Sequence, residues 1–203
     1  MSRNGIRGIA LIAAAAMLLT VGPVFIADAR ATEAQPGAEQ AIETMIKAIK
    51  EDNAPIRNRM FFRLRDIGEP SVDPLIAAYA ANNELPVRQY IINMLGWVGG
   101  EQAYEFISGK MTDQRAEIRQ KAAEALCTID DKRGIPLLIQ ALDDSDENVR
   151  IAAIVSLGVM EDPQAIEPLK KKLKDPSPRV AKFAENYLEL LAITYPEAET
   201  GGE

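Results

Sequence analysis

The chain has 203 residues, 47% of them apolar but only 5% aromatic, with 23 basic against 30 acidic side chains and no histidine. Lack of histidine removes the Ser-His and Cys-His nucleophile pairs and the commonest transition-metal ligand. A formal charge of −7 argues against nucleic acid and anionic lipid, which are held mainly by Lys and Arg.

Residues 1–31 read as an export signal. Arg3 and Arg7 form a basic start, Gly8–Val21 carries no charge, and Gly22-Pro23 breaks the apolar run. Ala27-Asp28-Ala29 and Ala29-Arg30-Ala31 both fit a small-x-small cleavage site. The alternative is an uncleaved anchor, because residues 8–27 reach the length of about 20 that spans a bilayer. Cleavage predicts a periplasmic or secreted protein without stable membrane contact. It removes three arginines and one aspartate, leaving 20 basic against 29 acidic residues, a net charge of −9.

A polar linker, 32–36, precedes a helix predicted over 38–50. From there one register repeats. Ile56, Val87, Ile118, Val149 and Val180 are each 31 residues apart, and eight positions on from each stand Leu64, Leu95, Leu126, Leu157 and Leu188. Positions 0, 4, 8 and 11 from each anchor are apolar in all five copies, within about 80° of helical arc. A second stripe lies 7, 11 and 14 residues before each anchor, broken only by Asp73. The unit is therefore helix–turn–helix. The expected fold is all-α, an α-solenoid of about ten helices in five pairs over 37–193, with a disordered tail at 194–203.

Five positions before the anchors stand Glu51, Asn82, Asp113, Asp144 and Asp175, and one position after them Arg57, Arg88, Arg119, Arg150 and finally Ala181. The expected role is architectural: the acids cap helix N-termini and bond arginines of an adjacent repeat. A charged row for a ligand is the alternative. Ala181 fits an end cap.

The best-preserved copy carries Asp144, Val149, Arg150, Ala152, Ala153, Leu157, Gly158, Asp162, Pro163, Ala165, Ile166, Pro168 and Leu169. This signature resembles the HEAT repeat, in the short-period form also found in phycobilisome-lyase-like proteins. The resemblance implies a family made mostly of scaffolds with a few enzymes among them. Lack of histidine separates the chain at site level from the HEAT-repeat di-iron hydroxylases, whose metal is held by His-Glu pairs. No catalytic residue, metal or other cofactor is expected. The reading that follows is an exported non-enzymatic scaffold or adaptor for a protein partner. The alternative that the resemblance keeps open is a lyase-like or accessory enzyme acting on a protein-bound chromophore or small substrate, although export places the chain away from phycobilin substrates.

Candidate contacts are the residues that depart from the repeat on the outward face of each second helix, where positions 2, 6 and 9 are expected to point away from the core. Arg59, Phe62, Arg65, Tyr90, Asn93 and Trp97 give an aromatic and basic end on an acidic protein, and Ile151 and Val155 put apolar residues where other units are mostly polar. Aromatic and Arg side chains are the usual interface anchors; gap filling between large and small neighbours is the competing reading. Cys127, the lone cysteine, reads as a small filler rather than a reactive thiol.

Overall fold

The computed structural model describes residues 37–194. The proposed signal at 1–31, the linker at 32–36 and the tail after residue 194 lie outside them. Ten α-helices follow in order: α1 Ala38–Lys50, α2 Ala54–Ile67, α3 Val72–Ala81, α4 Leu85–Val98, α5 Glu101–Lys110, α6 Ala116–Ile129, α7 Ile135–Ala141, α8 Glu147–Met160, α9 Ile166–Lys172 and α10 Pro178–Thr194. Among the described residues there is no strand, and no helix is long and apolar enough to cross a membrane. The fold is an all-α solenoid of five helix pairs.

Local chemistry sets where each helix starts and stops. Asn53 caps α2, its Oδ1 accepting from the Ile56 N–H at 3.2 Å, and Asp146 caps α8, accepting from Asn148 and Val149 at 2.8 and 3.2 Å. Pro55, Pro86 and Pro136 occupy first turns, where a missing N–H costs little. Asp130 and Glu161 end α6 and α8 in the left-handed region, at φ 57° and 49°. Each is followed by an aspartate that opens the next unit: Asp131 accepts from the Arg133 N–H at 2.9 Å and Asp162 from Gln164 at 3.0 Å.

Packing follows the register and adds a face that the sequence reading missed. Val87, Ile91, Leu95, Ile118, Ala122, Leu126, Val149, Ala153 and Leu157 are fully buried. So are Ile92, Met94, Ala123 and Ile154, with Ala125 and Ser156 nearly so; these stand at positions 5 and 7. Each inner second helix packs on its own first helix and on the second helices before and after it, so two stripes are covered rather than one. Ser156 Oγ donates to the Ala123 carbonyl at 3.0 Å across that contact. Position 9 is likewise covered in the second and fourth units, though exposed at Arg65 and Glu189 in the end units. A Cβ at Gly96 would lie 3.1 Å from Ala125, and one at Gly158 would lie 1.9 Å from the Tyr187 ring. Glycine is needed there for close helix approach. Asp73 breaks the first-helix stripe because its neighbour Val72 takes the buried place at 1% exposure, while Asp73 accepts a hydrogen bond from the Gln102 side chain at the surface.

The acid–arginine series holds repeats together, with one correction. Arg119 donates through Nε and Nη2 to Asp144, both at 2.7 Å, and Arg150 to Asp175 at 3.1 and 3.0 Å. The acids, however, do not cap the helices. Asp113, Asp144 and Asp175 accept the backbone N–H two residues on, at 3.0, 2.8 and 3.0 Å, which fixes the turn before the cap. The series is incomplete in the first two units. Arg57 has Asn82 at the equivalent place, its Nε is buried without a hydrogen-bond partner, and Asp52 lies 3.9 Å away. Arg88 turns back onto its own turn, to the Asn82 carbonyl at 2.5 Å and Asn83 Oδ1 at 2.7 Å.

Candidate functional site

Helix α2 carries Arg57, Arg59, Arg63 and Arg65 against one acid, Asp66, on a chain that is otherwise acidic. Its aromatic residues join those of α4 in a continuous strip. Phe61 is the centre, with ring centroids 5.6 Å from Phe62, 6.0 Å from Trp97 and 6.5 Å from Tyr90, at interplanar angles of 89°, 78° and 82°. These edge-to-face contacts set positive ring edges against a negative ring face. Guanidinium groups stand at both ends: Arg57 Cζ lies 5.7 Å from the Tyr90 ring and Arg65 Cζ 5.1 Å from the Phe62 ring.

Phe62 and Trp97 nevertheless remain 47% and 42% exposed. The strip thus pairs a packed base, Phe61 and Tyr90, with two open rings. Arg59 and Arg65 are exposed, and Asn93 is half-buried on α4. Burial pushes the Tyr90 hydroxyl pKa above its ordinary value, against the lowering effect of Arg57, so it stays a neutral phenol at physiological pH.

Of the residues singled out from sequence, Arg59, Phe62, Arg65, Tyr90, Asn93 and Trp97 lie on α2 and α4. Ile151 and Val155 lie on α8, two units away and outside the strip. Both are half-buried, and Ile151 packs against the core. Two strip residues were missed. Phe61 stands at position 5, the second buried stripe, and Arg57 was read only as part of the acid–arginine series. The Phe61-Phe62 doublet was the available signal, since adjacent helix residues point about 100° apart and one of them had to face a neighbouring helix.

Catalytic groups are sparse. Among the described residues no group of three or more metal-ligating side chains comes together. The Cys127 thiol is pushed up to about 11 by burial, with the Asp130 charge adding to it, and so stays protonated and unreactive at neutral pH.

A family profile described as HEAT repeats matches residues 105–189. Human deoxyhypusine hydroxylase is 32% identical over 118 residues, covering 57% of this chain and 37% of that protein. The Bos taurus deoxyhypusine hydroxylase is 31% identical over the same shares. The chain thus spans little more than a third of the length of these curated relatives. Among solved structures, the complex of CpcE and CpcF of phycocyanin lyase from Nostoc sp. aligns with a TM-score of 0.60 at 21% identity, covering 72% of this chain and 97% of that one. Human deoxyhypusine hydroxylase in complex with glycerol aligns at 0.55 and 29% identity, covering 66% and 47%.

These relatives correct the expectation of a non-enzymatic scaffold. The matching curated proteins bear the name of an enzyme, and so does a solved structure that shares the fold at 29% identity. A di-iron centre held by His-Glu pairs does not fit a chain without histidine and without a clustered ligand set among its described residues. Similarity therefore lies in the repeats. By its 31-residue register, its ten paired helices among the described residues and the profile match over residues 105–189, the chain carries HEAT repeats.

Proposed function

We propose that this protein is a lyase-like or accessory enzyme, exported from the cytoplasm, that acts with a protein partner on a protein-bound chromophore or small substrate. The observation that carries the reading is the strip on α2 and α4, where Phe62 and Trp97 stay open above a packed Phe61. Open rings bracketed by guanidinium groups suit a flat apolar body with polar or anionic substituents. The relatives support the enzymatic side: one group is named for a hydroxylase reaction and the other for a lyase built from two subunits. The chain has no histidine for a Ser-His or Cys-His pair, and what the strip itself offers a reaction is position and charge. Holding reactants in a productive geometry is itself a large catalytic term.

The test is isolation of the mature chain from the cells that make it, followed by absorption spectroscopy and mass spectrometry of whatever accompanies it. A bound chromophore or small molecule that is lost in a Phe62→Ala/Trp97→Ala variant, with thermal unfolding unchanged, is the expected result. Recovery of only an unmodified protein, equally with wild type and variant, would overturn both the activity and the strip.

A further inference from the structure

A second cluster lies at the turns of units two and three. Tyr79 on α3 is 5% exposed, and its hydroxyl is buried without a hydrogen bond of good geometry, although the Arg88 guanidinium lies near enough to act on it. Arg88 Cζ lies 4.7 Å and Lys110 Nζ 5.1 Å from its ring centroid. Phe106 meets the same ring edge-on at 5.1 Å. Arg115 and Asp113 are the other charges close enough to act on the hydroxyl. Two guanidinium groups and one carboxylate therefore act on the hydroxyl, while the Lys110 ammonium stands over the ring. Asp113 is itself occupied, by the Arg115 backbone N–H at 3.0 Å and Nε at 3.4 Å.

Other repeats show the pairing that Arg88 lacks: its register partner Asp113 stands 25 residues on, as Asp144 and Asp175 do from Arg119 and Arg150, but is turned to Arg115. Arg119 and Arg150, one and two units after Arg88, each take both oxygens of an aspartate. Lys172, two units after Lys110, lies 2.6 Å from Asp143 and 4.0 Å from Asp175. Among the described residues Arg88 and Lys110 form no such ion pair. Burial pushes the Tyr79 hydroxyl pKa up, so it keeps its proton and can donate.

We infer that Tyr79, Arg88, Lys110 and Arg115 form an oxyanion site that receives a carboxylate or phosphate group carried by a ligand, with Tyr79 Oη donating to it. The anion takes up the Arg88 guanidinium, whose register partner Asp113 is turned to Arg115, and satisfies the buried hydroxyl. Lys110 lies over the ring on a flexible stem and swings aside to admit it.

The experiment titrates the full chain with inorganic phosphate and, separately, with acetate, at ionic strength held constant with chloride. NMR of the Arg88 and Arg115 Nε–H groups and of the Tyr79 ring follows binding. We expect saturable shifts with one or both anions; saturation by phosphate alone assigns a phosphate ligand and by acetate alone a carboxylate. Tyr79→Phe should weaken the affinity threefold or more, and Lys110→Met about tenfold. Lys110→Met leaves the core intact and serves if Tyr79→Phe fails to fold. Shifts that rise without saturation, or that are the same in Lys110→Met as in wild type, overturn the site. A Tyr79→Phe protein that is more stable yet binds phosphate or acetate unchanged assigns water to the hydroxyl and overturns it as well.

Discussion

Gly158 shows how far a single residue can depend on a neighbouring repeat. In an isolated helix Gly→Ala gains about 0.8–1 kcal/mol. In this fold the added methyl would fall 1.9 Å from Tyr187 Cδ1 and 2.5 Å from Cγ, atoms near the root of the ring that cannot swing clear alone. Gly158→Ala should therefore destabilise, by about 1–3 kcal/mol, as read from urea midpoints. A midpoint that rises would show that α10 shifts freely over α8. Cys127 supplies a second residue-level prediction. Its folded pKa, about 11, lies above its ordinary value of 9.0, so its contribution is present below pH 9 and is lost as pH rises towards 11. Reaction with a disulfide reagent at pH 8 should be slow in the folded chain and fast in urea; equal rates would mean that the thiol is open.

At the scale of elements, the ion pairs between turns are the replaceable part. Asp144 and Arg119 are 12% and 14% exposed at their side chains, and the hydrogen bonds from Arg119 hold the Asp144 pKa below its usual value. The sign follows: the folded carboxylate is favoured, so its stabilisation is present above the ordinary carboxylate pKa near 4 and is lost as pH falls through the depressed folded value. Asp144→Asn should cost about 1.5–3 kcal/mol at pH 7, with the difference from wild type vanishing in acid. The converse change is Asn82→Asp, which supplies the carboxylate missing opposite Arg57. Because the Arg57 side chain is 27% exposed, the gain should be modest, about 0.5–1 kcal/mol. Denaturation midpoints at pH 7 and pH 3 measure both changes, and an Asn82→Asp gain that persists at pH 3 would rule out ion pairing as its cause.

For the whole molecule, stability is distributed along one dimension. Each unit buries its stripes only on its neighbours, and Leu126, fully buried in the middle pair, lies on α6, which packs on both α4 and α8. Leu126→Ala should cost about 2–5 kcal/mol. Hydrogen exchange should quicken most in α4 to α8 and least in α1 and α10. A uniform rise from α1 to α10, or one confined to α6, would contradict nearest-neighbour coupling. The last unit shows the same logic at an end. Leu173 is 44% exposed while its equivalent one unit earlier, Leu142, is buried, because no sixth helix pair follows among the described residues.

The sequence by itself determined the repeat, the helix pairing and the core stripe. A period of 31 residues and an apolar stripe are local, additive properties that survive without knowledge of neighbours. It also placed Phe62, Tyr90 and Trp97 among residues the architecture does not demand. Only the tertiary structure decided which of the remaining faces is covered. Position 9 looked outward on a helical wheel, yet Gly96 and Gly158 face the next second helix, and Phe61 became the centre of the strip because α4 lies against it. A wheel describes one helix, whereas burial in a solenoid depends on three partners of which two belong to other repeats. The same reason hid the Tyr79 cluster: Tyr79, Arg88, Lys110 and Arg115 belong to two units and to both helices or their joining turn, and no spacing along the chain signals that their side chains meet.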